Sequence, residues 1–233
     1  MGIYLNPDNN RYERLCNSPI FVDKSLLIEY TNKAINTSND CICITRPKRF
    51  GKSTDANMLV AYYSKDLFNT LNISHCPSFL EHLNKHNVIH LNIQDFLSTT
   101  NSIDEMLVKI NRMILKDLKF EFKDAITETE IIDAFNEVYV YTKNKFIFII
   151  DEWDCIFREF KENKTAQETY LDFLRSLLKD KNYIEMCYMT GILPIKKCGT
   201  HSALNMFDEI SMTQSKPLSN YMGFTEEEVS NLC

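Results

Sequence analysis

Glycine is scarce in this chain. Five glycines stand among 233 residues, where average usage of about 7% would give some sixteen. A chain so poor in the residue that adopts left-handed backbone freely keeps it where that freedom is needed. Two of the five, Gly51 and Gly191, fall in the motifs described below. Long apolar runs are lacking too. The longest purely apolar or aromatic stretch is six residues, 58–63, against the roughly 20 that a helical bilayer span needs, so no membrane is expected as a partner. The opening segment, MGIYLNPDNNRYERL, has neither the apolar core nor the cleavage site of a secretory signal. The eight cysteines include no Cys-x-x-Cys pair and are too sparse for a disulfide scaffold. The expectation is reduced thiols in a cytoplasmic protein. Basic residues are not in excess: 26 Lys and Arg face 32 Asp and Glu, for a net charge of −6. That balance argues against a globally basic nucleic-acid binder and leaves a local basic site open.

What remains is an ordinary globular composition, 44% hydrophobic and 25% charged, enough for one large domain or two small ones. There is no internal repeat and no Gly/Ser linker. Residues 6–10, rich in Asn, Pro and Asp, read as turn. Asp23 or Ser25 is placed to cap a helix running to about Ala34. Residues 41–45, CICIT, read as a short buried strand, followed by RPKRFGKST and a helix carrying Met58, Leu59 and Tyr62 at helical spacing. Residues 88–93 suggest a second strand. Apolar positions at Ile103, Leu107, Ile110, Ile114 and Leu118 mark an amphipathic helix over about 101–120. Another helix is expected over about 128–140, and Thr165 with Glu168 resembles a capping box for one reaching Asp180. Residues 146–150, 184–189 and 207–212 read as further strands. Strands separated by helices, with apolar runs in place of alternation, predict an α/β fold. Its central sheet would be mostly parallel and covered by helices on both faces. Ligands of such sheets bind beyond the carboxyl ends of the strands.

Three strand ends carry chemistry there. At the first, Gly51-Lys52-Ser53 supplies the last three places of the phosphate-loop pattern GxxxxGK[ST], with Arg46 where the first glycine belongs. Backbone amides of such a loop cradle phosphate, the lysine bridges phosphates, and the hydroxyl holds magnesium. The bare tripeptide occurs by chance in roughly one chain in ten. Its place between a predicted strand and a predicted helix is what gives it weight against a basic surface turn. At the second, four or five apolar residues end in Asp151-Glu152. One acid neutralises a metal while its neighbour faces the attacking water. The plain alternative is a strand ending in solvated acids. At the third, residues 184–189 end in Thr190-Gly191, which would set Thr190 near the water or terminal phosphate and bring Lys196 or Lys197 as a countercharge. A solvated basic turn is the alternative for the two lysines.

Together these pieces resemble the bacterial AAA-ATPase-like family of P-loop ATPases, which often carry a C-terminal nuclease-like domain. The matching stretches are FVDKS at 21–25, TRPKRFGKS at 45–53, IIDEWD at 149–154, MTGIL at 189–193, SALN at 202–205 and GFTEEEV at 223–229. The resemblance implies a three-layer P-loop NTPase fold, with one strand inserted between the phosphate-loop strand and the acid-bearing strand. It implies ATP as ligand and Mg²⁺ as cofactor. By match of motif, Arg46, Pro47, Lys48, Arg49, Phe50, Gly51, Lys52, Ser53 and Thr54 would bind the nucleotide, Ser53 and Asp151 would hold the metal, and Glu152 and Thr190 would be catalytic. Many relatives carry an arginine shortly after the Thr-Gly pair, where this chain has Pro194. Residues 1–40 would be a lead-in and 41–223 the nucleotide-binding core. A helix opening at Thr225, capped with Glu228, is cut short at Cys233, which suggests that the natural product continues. Nothing here matches the nuclease-like domain.

Two functions compete on this reading: a Mg²⁺-dependent ATPase, and a nucleotide-gated interaction module with little hydrolysis that acts on itself, on a downstream domain or on a nucleic-acid-processing domain. A motor stimulated by nucleic acid is a third, disfavoured by the acidic balance. His82 and His86, with His75, Cys76 and His90 nearby, read as surface or satisfied histidines in preference to a zinc site, and Cys41 and Cys43 as core.

Overall fold

The computed structural model of the protein describes residues 2–65, 70–198, 204–212 and 218–232. Five strands, β1 (Cys41–Thr45), β2 (Asn87–Asn92), β3 (Phe146–Asp151), β4 (Ile184–Gly191) and β5 (Asp208–Ile210), form one sheet in the order β2-β3-β4-β1-β5. Every pairing in it is parallel. Helices come between the strands: α1 (Asn10–Cys16) and α2 (Leu26–Asn32) precede β1. α3 (Lys52–Ser64) and the single turn α4 (Phe79–His82) lead to β2. α5 (Ile93–Leu97), α6 (Ile103–Glu121) and α7 (Ile131–Thr142) lead to β3. α8 (Cys155–Glu159) and α9 (Lys164–Leu178) lead to β4, and α10 (Glu226–Leu232) follows β5. The expected α/β architecture with helices on both faces is the one that forms.

The sheet is buried on both sides because its strands are apolar at odd and even positions alike. In β3, Phe146, Phe148 and Ile150 join the core formed with α6, α7 and α9, while Ile147 and Ile149 join the core formed with α3. Cys41 and Cys43 lie buried in the first of these cores, as their spacing on one strand face requires. The apolar run 58–63 is buried along α3.

Local signals failed in places: Ser25 takes the N-cap position of α2 but makes no side-chain cap bond, its hydroxyl accepting from Ile73 N instead. Asn10, the last of the residues expected to be turn, begins the unforeseen helix α1, whose one buried residue, Tyr12, packs edge-on against Phe21 with ring centroids 6.4 Å apart. One anchor in seven residues leaves no periodicity to read. A further miss is the cap of α9. Asn163, not the Thr165–Glu168 pair, takes that place, and its side chain accepts from the amide of Ala166. An Asn directly before the first turn competes well for that amide. The box at the head of α10 does form: Thr225 Oγ1 accepts from Glu228 N at 3.2 Å and a Glu228 carboxylate oxygen accepts from Thr225 N at 2.7 Å.

The β2 edge of the sheet is not left open. Leu5 makes an antiparallel bridge to Ile89, the amide of His90 donates to Tyr4 O, and that of Asn6 donates to Val88 O. The strap is held in turn by Asp117 of α6, whose Oδ2 accepts from the amides of Tyr4 and Leu5.

At the opposite end of the strands from the turns that start them, Gly191 allows a close approach. A Cβ there would stand 2.5 Å from Trp153 Nε1 and 2.8 Å from Asp154 Oδ1. The Gly191→Ala variant is therefore expected to lose about 1–3 kcal/mol of stability, read as a lower urea midpoint. An unchanged midpoint would mean that Trp153 can move aside freely.

Candidate functional site

The carboxyl ends of β1, β4 and β3 lie side by side, with β4 in the middle. Thr45 is in register with Gly191, and Ile150 with Met189. The strand inserted between the loop strand and the acid strand is thus present. The three motifs read from the sequence meet at this edge.

After β1 the chain makes an exposed loop of Pro47, Lys48 and Arg49, with Phe50 half-buried, before α3 begins at Lys52. Two residues of the loop take left-handed backbone, Arg49 at φ 70° and Gly51 at φ 80°. Glycine meets that demand at no steric cost and sits at the N-cap of α3. The Lys52 side chain folds back so that its ammonium donates to Pro47 O at 3.0 Å. Burial pushes its pKa down, and the nearby carboxylates of Glu152, Asp151 and Asp154 oppose that shift. An amine far apart in sequence from these acids is therefore held in their field. Ser53 is exposed at the mouth, and Thr54 is half-buried beside it.

Arg46 goes elsewhere. It is 2% exposed, and its Nη1 donates to Thr45 O and to Ile210 O, at 2.9 and 3.0 Å. The residue standing in place of the first glycine ties β1 to β5 from within and leaves the mouth to Lys48 and Arg49. Phe50 packs on the chain after β5, where a Cβ on Gly223 would meet its ring at 3.1 Å.

Asp151 ends β3 and is 2% exposed. Its Oδ1 accepts from the hydroxyl of Thr190 and from the amide of Glu152. Thr190 is wholly buried, so it meets the acid and not solvent. With both donors on Oδ1, Oδ2 is the oxygen a cation would take. Glu152 holds a left-handed backbone at φ 54° and pairs with Arg158 of α8. Asp154, wholly buried, accepts through Oδ2 from the amides of Ile192 and Leu193 and lies 3.3 Å from Arg158 Nε. Lys196 is exposed on a 3-10 turn after Pro194. Ser202 and Ala203 of the quoted SALN stretch lie outside the described residues.

Sequence reasoning missed Arg158 and Asp55. The signal for Arg158 was its spacing of four from Asp154 at the start of a helix. Asp55 lies under the loop with its Oδ2 buried and unpartnered, and its pKa is raised well above the usual carboxylate range by burial. Among the described residues, the other buried polar side-chain atoms without a hydrogen bond include Thr45 Oγ1, Arg46 Nη2, Tyr188 OH, Trp153 Nε1, Asp154 Oδ1 and Arg158 Nε. His90 Nε2 of β2 and Tyr170 OH of α9 are the remaining two. Orphaned buried polar groups cost stability, and most of these lie on residues at or beside the strand ends. The donor set, a hydroxyl and a carboxylate oxygen, is the hard-oxygen type that suits Mg²⁺.

Elsewhere, His82 Nδ1 and His86 Nε2 are 3.0 Å apart and His86 Nδ1 is 2.7 Å from Glu185. The pair is satisfied by one another and by that carboxylate. Among the described residues no group of three or more His, Cys, Asp or Glu is arranged to hold a metal ion, and no helix is long and apolar enough to cross a membrane.

Comparison with known proteins gives one family. A profile described as Predicted AAA-ATPase matches residues 10–200. No curated protein matches the sequence. Among solved structures, a chain in the structure of Drosophila ORC bound to DNA is similar at 14% identity and a TM-score of 0.36, covering 87% of this chain and 90% of that one. So distant a likeness supports no inference about binding.

The buried Asp55 has a consequence for pH. An unfolded aspartate titrates near ~3.9, and the folded group titrates higher. Above about pH 4 the unfolded chain therefore gives up its proton first, and stability falls as pH rises toward the folded value. The Asp55→Asn variant lacks this loss. Its stability relative to wild type should increase from about pH 4 to about pH 7 in denaturant titrations. A constant difference across that range would mean that Asp55 ionises as freely as in water.

Proposed function

Because the chain belongs to the AAA-ATPase-like family, we propose that it binds ATP with Mg²⁺ at the mouth formed by residues 46–54 and hydrolyses it. The observation that carries this reading is the meeting at one sheet edge of the Gly51-Lys52-Ser53 turn after β1 with Asp151 and Glu152 at the end of β3, on either side of β4. Lys52 would leave the Pro47 carbonyl for the β- and γ-phosphates. The amides of Lys48, Arg49, Phe50 and Gly51 would line the phosphates, with Pro47 and Thr54 framing them. Arg46 would act through the strand ends it binds, and the exposed Lys48 and Arg49 side chains would supply countercharge. Ser53 and Asp151 would hold Mg²⁺, which when bound neutralises charge developing on the phosphates. Thr190 would serve as a positioning residue, fixing the Asp151 carboxylate so that Oδ2 faces the mouth.

Hydrolysis is in-line attack of water on the terminal phosphorus. The bond to the β-γ bridging oxygen breaks, ADP leaves, inorganic phosphate forms, and the water's proton goes to Glu152. A second reading keeps the same site as a nucleotide-gated module with little turnover. It is favoured by the ion pair that occupies a Glu152 carboxylate oxygen. Self-association, a downstream domain or nucleic acid would then be what the bound state controls.

Nucleotide titration and phosphate release, with and without Mg²⁺, test both readings. Lys52→Ala should weaken ATP binding by tenfold or more, about 1.4 kcal/mol. Glu152→Gln should bind ATP and release phosphate at least ~100-fold more slowly. Unchanged affinity in the Lys52 variant would reject this site. Tight binding by wild type with negligible phosphate release would select the gated module.

A further inference from the structure

Within that nucleotide-binding reading, on which this rests, we infer that Arg158 is a switchable counter-ion. It holds Glu152 while no nucleotide is bound and passes to the terminal phosphate when a nucleoside triphosphate enters. Three observations converge. First, the guanidinium is paired with Glu152 through Nη2 and stands 3.3 Å from Asp154 Oδ2 through Nε. It bridges the acid next to the metal-side aspartate and the acid that clamps the chain after β4. The oxygen of Asp154 that faces it also accepts from the amides of Ile192 and Leu193. Arg158 therefore sits against the backbone just before Pro194, at the head of the loop that leaves the middle strand.

Second, the cations nearest the strand-end acids are already engaged by them, while Lys48 and Arg49 stand exposed on the loop. Lys52 and Arg158 face three carboxylates, Asp151, Glu152 and Asp154. A polyphosphate entering the mouth sets its negative charge against these three carboxylates. It gains most from a cation that can be released from a carboxylate and turned toward it. Lys52 is placed for this by its position on the loop. Arg158 is the matching group on the acid side.

Third, the pair is not locked in. Arg158 and Glu152 side chains are 22% and 23% exposed, and Arg158 Nε has no aligned hydrogen bond despite its closeness to Asp154. A planar guanidinium with five donors can keep one contact to Asp154 while exchanging another from Glu152 to a phosphate oxygen. The exchange frees the Glu152 oxygen to accept the water's proton only once the terminal phosphate is present. A nucleoside diphosphate, lacking that group, would leave the pair closed.

Binding of ATP and ADP, each with Mg²⁺, to wild type, Arg158→Gln and Arg158→Lys tests this by calorimetric titration and phosphate release. Emission of Trp153, the sole tryptophan of the chain, serves as a second readout from the segment between Glu152 and Asp154. In wild type, ATP should bind at least ~10-fold more tightly than ADP, and ATP alone should change the emission. Arg158→Gln should bring the two affinities to within about threefold of each other. It should keep ADP affinity, lose the ATP-specific emission change, and release phosphate at least ~100-fold more slowly. Arg158→Lys, which keeps the charge without the fork, should fall between, and it carries the test if the glutamine variant does not fold. Wild-type ATP preference and turnover persisting in a folded Arg158 variant would overturn the inference, as would faster turnover with the ATP preference intact. Failure of wild type to bind either nucleotide would instead remove the reading beneath it.

Discussion

A single buried carboxylate oxygen joins the two central strands of this fold at their working end. Asp151 Oδ1 receives the Thr190 hydroxyl from β4 and the amide of its own neighbour. In a dry setting such a contact is worth more than at the surface, and losing it would leave a buried oxygen short of a donor. The position of β4 between β1 and β3 makes the contact available. Because parallel strands run in the same direction, their carboxyl ends arrive together, and whatever stands on those ends converges. The loop lysine and the acids come from segments about a hundred residues apart, and sheet order alone brings them into one field.

Around that contact the chain adds a second clamp. Asp154 gathers the amides of Ile192 and Leu193, and Gly191 yields room for the Trp153 ring. The acid segment and the chain leaving β4 are therefore one mechanical unit. Arg46 performs a similar service on the other side, joining β1 to β5 through two carbonyls. A basic residue in the place of a loop glycine thus contributes rigidity beneath the loop, while the loop itself obtains its left-handed turns from Arg49 and Gly51.

Much of this was legible in the residues. The buried strands announced themselves as unbroken apolar runs, and CICIT is β1 to the residue. The amphipathic α6 and the box at Thr225 and Glu228 were plain because periodicity and capping are local properties. Short elements were not: α1 hangs on Tyr12 alone, and α8 spans five residues. The direction of side chains was harder still. Nothing in RPKRFGKS says that Arg46 turns inward while Lys48 and Arg49 stay outside, since that depends on the carbonyl of Ile210, over 160 residues away. Thr190 was expected beside the attacking water or terminal phosphate from its strand end, but that its hydroxyl faces Asp151 is a matter of packing. Arg158 lay just past the acidic motif, and only the folded α8 brings it back against Glu152.

The strap formed by residues 4–6 has an effect beyond the domain's own stability. β2 would otherwise present a row of free amides and carbonyls, the kind of adhesive border along which sheets of separate molecules zip together. Tyr4, Leu5 and Asn6 cover it, and Asp117 grips them from α6. A chain shortened past Asn6 would lay that border bare, leaving β2 open to pairing with another molecule's strand.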